Sequence, residues 1–132
     1  MDTGRSLPRS RRRPLHSGLT VQPRYNLWIE LDGQVILSLW RAELLRAVAR
    51  AGSISAAAEA LGIPYRVAWQ KIHEMETRLG QKLVETQTGG QHGGGARLTP
   101  AAERYLEQFD RFANDLERFV SDAFAANFHL PE

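Results

Sequence analysis

The sequence predicts a mainly α chain with small β hairpins, arranged as a winged helix-turn-helix with a long C-terminal helix. Three observations carry that expectation. Residues 51–75, AGSISAAAEALGIPYRVAWQKIHEM, read as two helices broken at Gly62. The spacing Ala58-x-x-x-Gly62 puts a small residue where helices approach and a glycine where the chain turns left-handed. Strand–turn–strand signals lie on either side, at residues 27–37 and 83–99. From Thr99 to about Phe124, apolar residues recur three and four apart, as in one long amphipathic helix.

Composition bounds the class. A length of 132 residues with 42% hydrophobic content suits one domain plus a tail and can supply a core. The absence of cysteine excludes disulfide frameworks and thiolate metal sites and fits a reducing compartment. No apolar run approaches the ~18 residues of a membrane span. Ser10-Arg11-Arg12-Arg13 resembles a twin-arginine signal, but His16-Ser17-Gly18 and Gln22-Pro23-Arg24 stand where its apolar segment should be. A cytoplasmic protein is therefore expected.

The net charge of +2 is unevenly spread. Residues 1–24 hold six arginines against Asp2, a balance of +5, which leaves −3 for the other 108. This segment is too poor in apolar residues to order itself. It is either a basic arm adding phosphate contacts or, more simply, a solvated leader that includes an over-called translation start. The acidic body does not oppose nucleic-acid binding, because the placement of basic groups on the surface decides that.

Residues 25–98 read as the winged helix-turn-helix. Leu27–Leu31, a turn at Asp32-Gly33 and Gln34–Leu37 form the first hairpin. Ser38 can cap a first helix with Trp40, Leu44, Leu45 and Val48 at helical spacing, ended by Gly52. Ser53 or Ser55 caps the second helix, whose inner side is Ile54, Ala57, Ala58 and Leu61. Pro64 suits the first position of the third, where its missing N–H costs nothing.

The third helix carries the function. Ala68, Ile72, Met75 and Leu79 define a buried stripe, and Arg66, Gln70, His73 and Thr77 point away from it. Tyr65 and Trp69 fall on its border, with Val67, Lys71 and Glu74 on the other flank. Arginine can bond guanine bidentately and glutamine adenine, so this face suits a major groove. The competing reading is an ordinary amphipathic helix with a solvated side. His73 has no second ligand at metal spacing, and no metal or cofactor is expected.

In the second hairpin, Leu83–Thr86 and Ala96–Thr99 flank a tip, residues 88–95, with five glycines in the seven residues 89–95. A Walker loop would need Gly-Lys-Ser/Thr leading into a helix, and that lysine is absent. A wing reaching the DNA backbone or minor groove is the better reading, against a merely mobile tip. Thr99 then caps, and Pro100 opens, a helix expected over 99–126, with a tail at 127–132. Leu106, Phe109, Ala113, Leu116, Val120 and Ala123 form a heptad-like seam, with Tyr105, Phe112 and Phe119 beside it. Such a broad stripe points to partial packing on the domain and a homodimer through the rest; a single wide stripe buried in a monomer is the alternative. A dimer would present two reading helices to a two-fold symmetric operator.

Gly52-Ser53-Ile54-Ser55, Ala57-Ala58, the run Ile63 to Trp69, Ile72, Glu74-Met75, and Thr88-Gly89-Gly90 through Gly93-Gly94-Gly95-Ala96 with Leu98-Thr99 carry a resemblance. Together they resemble the N-terminal domain of ModE-type molybdate-responsive transcriptional regulators and, more generally, LysR-type winged helices. The resemblance covers about residues 25–124. It implies a DNA-reading third helix and wing and a long dimerisation helix. Base-facing roles follow for Arg66, Val67 and Gln70, with Tyr65, Trp69 and the wing supporting at the backbone. The full DNA-facing set is Ser53, Ser55, Tyr65, Arg66, Val67, Trp69, Gln70, Lys71, His73, Thr88, Gly89, Gly90, Gln91 and His92. Two departures remove positive charge: Thr86 where the family often has arginine, and Gln91-His92 in place of a Lys-Gly pair. The family's molybdate-binding domains have no counterpart in these residues, so the expectation is a regulator without its own effector domain. The expectation is a DNA-binding regulator; the alternative is an interaction module pairing with an effector-binding protein or a full-length regulator. No Ser-His-Asp or Cys-His arrangement and no distinct carboxylate pair suggests an enzyme.

Overall fold

The computed structural model describes residues 15–88 and 94–131. Its elements run β1 (Trp28–Leu31), β2 (Gln34–Ser38), α1 (Leu39–Ala51), α2 (Ile54–Leu61), α3 (Tyr65–Leu79), β3 (Val84–Gln87), β4 (Gly95–Leu98) and α4 (Pro100–Asn127). Both strand pairs are antiparallel and separate. The winged-helix architecture expected from the sequence is the one that forms.

The β1–β2 turn holds Asp32 and Gly33 at φ 52° and 81°, the two positive angles of a tight turn matched to strand twist. A bulge follows between Ile29 and Glu30. Ser38 ends β2 and caps α1, its hydroxyl accepting the Arg41 N–H at 3.0 Å. Between the two candidate caps of α2, Ser53 is the cap, accepting from Ala56 at 3.0 Å. Gly62 then turns left-handed at φ 68°, and its N–H reaches the Ala58 and Glu59 carbonyls. A side chain would be strained there, which is why the helix-turn-helix breaks at this glycine.

The core draws on every helix: Leu44, Leu45 and Val48 from α1, Ala57 and Ala58 from α2, Ala68, Ile72 and Met75 from α3, and Leu106 and Phe109 from α4, with Leu83 and Val84 at the wing base. Alanines on α2 let it lie close to its neighbours, while larger side chains elsewhere supply most of the roughly 1.5–3 kcal/mol that each buried apolar group contributes. Three expectations change. Trp40 is 40% exposed and lies outside the core. Pro64, with ψ 144°, is the cap of α3 rather than its first residue. The wing strands lie one residue off, at Val84–Gln87 and Gly95–Leu98.

Residues 25–115 form one compact unit, so the first half of α4 belongs with the winged helix. Leu106 and Phe109, expected on a dimer seam, are buried in this unit's own core, and Ala113 packs against it. These contacts hold the first half of α4 to its own domain. Among the described residues, the other unit comprises 15–24 and 116–131. Within it, Leu116, Val120 and Ala123 are half-buried, Phe119 is exposed, and Phe124 stacks on Phe128. Among the described residues no helix is long and apolar enough to cross a membrane.

Candidate nucleic-acid interface

Helix α3 starts without a side-chain cap, and the Pro64 carbonyl accepts from Val67 and Ala68 at 3.0 and 3.2 Å. Ala68, Ile72 and Met75 are buried, and Arg66, Gln70, His73 and Thr77 are exposed, as the spacing of four and three requires. Tyr65 and Trp69, each about half exposed, line a cleft of about 450 Å³. Ile54 and Ser55 of α2 form another wall, and Thr86, Gln87, Thr88 and Gly94 to Ala96 of the hairpin complete it. The indole of Trp69 stacks on the His73 ring, centroids 5.0 Å apart and planes 9° from parallel.

Three anchors fix the hairpin beside α3. The Ala96 N–H donates to the Gly52 carbonyl at 2.7 Å, tying β4 to the α1–α2 turn. One Glu76 carboxylate oxygen accepts from the Leu83 and Val84 N–H groups at 2.8 and 3.2 Å. Thr99 donates its hydroxyl to the Lys82 carbonyl at 2.7 Å while accepting from the Ala102 N–H, so one side chain closes the wing and caps α4. At Gly94 a Cβ would lie 2.6 Å from the Gln87 carbonyl oxygen, so the base of the tip needs glycine there.

The opposite flank of α3 is electrostatically closed. Glu74 accepts from Arg41 at 3.0 Å and lies 3.7 and 3.9 Å from the Lys71 and Arg78 nitrogens. Arg41 also donates to the Lys71 carbonyl, and Arg78 to the Val35 carbonyl at 2.7 Å. Burial alone would raise the Glu74 carboxyl, but the Arg41 hydrogen bond and the charges of Lys71, Arg41 and Arg78 outweigh it and hold it below its ordinary value.

The expected DNA-facing residues divide accordingly. Tyr65, Trp69, Ser55 and Thr88 meet at the cleft, and Arg66, Gln70 and His73 share the exposed face. Ser53 commits its hydroxyl to capping α2. Val67 is half-buried, and Lys71 turns to Glu74. Gly89, Gly90, Gln91 and His92 lie outside the described residues. Sequence reasoning missed Glu76 and the Arg41–Glu74 pair. Glu76 and its partners are seven and eight residues apart around the Gly80 turn, a spacing that carries no pattern of its own. Among the described residues no cluster of metal-ligating side chains occurs.

Residues 39–103 match the model of the bacterial regulatory helix-turn-helix protein family of LysR type. This segment is a LysR-type helix-turn-helix domain. The LysR-type domain and its flanks are 38% identical over 111 residues to the DNA-binding transcriptional dual regulator ModE of Escherichia coli K12, covering 84% of this chain and 42% of that one. The molybdenum-pterin-binding protein MopB of Rhodobacter capsulatus is 38% identical over 81 residues, 61% of this chain and 30% of the relative. The chain thus spans less than half the length of these curated relatives. Among solved structures, a CbnR DBD–DNA complex superposes with a TM-score of 0.55 at 26% identity, covering 70% of this chain and all of that one.

Proposed function

We propose that this chain is a sequence-specific, double-stranded-DNA-binding transcriptional regulator, ModE-like, acting as a homodimer and linked to molybdenum metabolism. The observation that carries the reading is the exposed Arg66–Gln70–His73 face of α3, set beside a cleft that the wing walls in. Arginine and glutamine at one-turn spacing can each take a base edge bidentately. In this reading the α2 start and the wing meet the sugar–phosphate chain on the same side. The likeness to ModE and to a LysR-type domain bound to DNA supports the groove assignment. Exposed Phe119, with Leu116, Val120 and Ala123, supplies the apolar surface for pairing two copies, which would address half-sites about one or two helical turns apart. Selection of bound fragments from the source genome, followed by anisotropy against salt, tests this. A preferred symmetric site whose affinity falls steeply with salt is expected; equal binding to all duplexes would end the claim of specificity.

A second reading, an interaction module for an effector-binding protein, is favoured by Tyr25, Trp28, Leu31, Leu39 and Trp40, which are 39–52% exposed on the first hairpin and the start of α1. Salt-independent, weak DNA binding beside a stable protein complex lost in Trp28→Ser would support it over the first.

A further inference from the structure

Trp69 and His73 stand one turn apart on α3, where side chains share a face. Their nearly parallel rings at 5.0 Å centroid separation form an offset stack. The indole is 48% exposed and lines the cleft of about 450 Å³. The imidazole and the indole together line a recess of about 180 Å³. A half-exposed indole has incomplete packing to fix its plane, and His73 supplies a rigid surface against one face.

We propose that His73 is a positioning residue for Trp69, holding the indole at the angle that meets the DNA backbone. This rests on the DNA-binding reading above. The charged groups facing His73 are Glu76 of α3 and Lys82 before β3, which pair at 3.8 Å. Glu76 is further engaged by the Leu83 and Val84 N–H groups. The surfaces turned to the recess from α2 and β3, Ile54, Val84 and Thr86, are uncharged.

The test uses the full chain with Trp28→Phe and Trp40→Phe, which leaves Trp69 as the single tryptophan. In free protein, Trp69 emission in His73→Phe, which keeps a ring to stack, should match the wild type, and in His73→Ala it should shift to the red as the indole gains solvent. His73→Phe should bind a labelled mixed-sequence duplex at fixed ionic strength within about two-fold of the wild type, and His73→Ala should bind roughly two- to five-fold more weakly than either. Unchanged emission in His73→Ala, or equal binding by His73→Ala and His73→Phe, would overturn the proposal. If no variant binds the duplex, the DNA reading itself fails, and the emission comparison still decides whether His73 holds Trp69.

Discussion

The two flanks of α3 carry similar side chains and do opposite things. On one flank, Lys71, Glu74 and Arg78 close on Arg41 and on the β2 backbone, so their charges are spent inside the domain. On the other, Arg66 and Gln70 stand exposed, and the Trp69–His73 stack borders an open cleft. No carboxylate pairs with Arg66 among the described residues. Charge on a helix becomes a reading surface only where the fold leaves it unpaired. The closed flank sets the rotation of α3 about its axis, and that rotation decides what the open flank presents.

Breaking the closed flank should have the largest effect. Glu74→Ala strands the buried Arg41 guanidinium and should lower folding stability by about 3 kcal/mol, read by urea denaturation. DNA affinity per folded molecule should change much less, and the reverse pattern would mean that this flank also reads DNA. Arg66→Ala should do the opposite, weakening specific binding by about 1–3 kcal/mol while thermal unfolding stays put. Glu76→Ala removes the shared acceptor of the Leu83 and Val84 amides and should cost about 1–2 kcal/mol of stability, with faster hydrogen exchange confined to the wing base. Exchange rising throughout would show that the anchor is not local.

Acid provides the mildest separation. Glu74 sits below its ordinary value because the Arg41 hydrogen bond and three cations outweigh burial, and Glu43 because the Arg50 and Arg46 hydrogen bonds do. A carboxyl lowered in the fold contributes stability that is complete above its ordinary value of 4.5 and is lost as pH falls through the lower folded value. Denaturation midpoints should therefore decline below about pH 4.5, and Glu74→Gln should flatten that decline. A slope unchanged in the variant would assign it to other groups.

Much of this was legible in one dimension. The Ala58–Gly62 break, the Ser38 cap, the Asp32-Gly33 turn and the alternation of faces along α3 all follow from local rules that a short window contains. The misreadings have a common cause. Trp40 fits the helical stripe of α1, but nothing in the sequence shows that the core beneath it is already filled by Leu44, Leu45 and Val48. Leu106 and Phe109 read as a seam because a heptad pattern does not say whether the covering surface belongs to the same chain. Lys71 reads as DNA-facing because a window on α3 does not contain Arg41, thirty residues earlier, which bonds the Lys71 carbonyl and the Glu74 carboxylate and closes that flank.

The wing's attachment has a consequence for the proposed DNA binding. With the Ala96 amide held by Gly52 and the Leu83 and Val84 amides held by Glu76, the base of the hairpin and α3 are tied together like the arms of a caliper. On that reading, a duplex whose grooves did not match the caliper would have to bend or narrow to fit. Such deformation is easier for some base steps than for others, so the backbone bonds at the wing base would discriminate among sequences without touching a base.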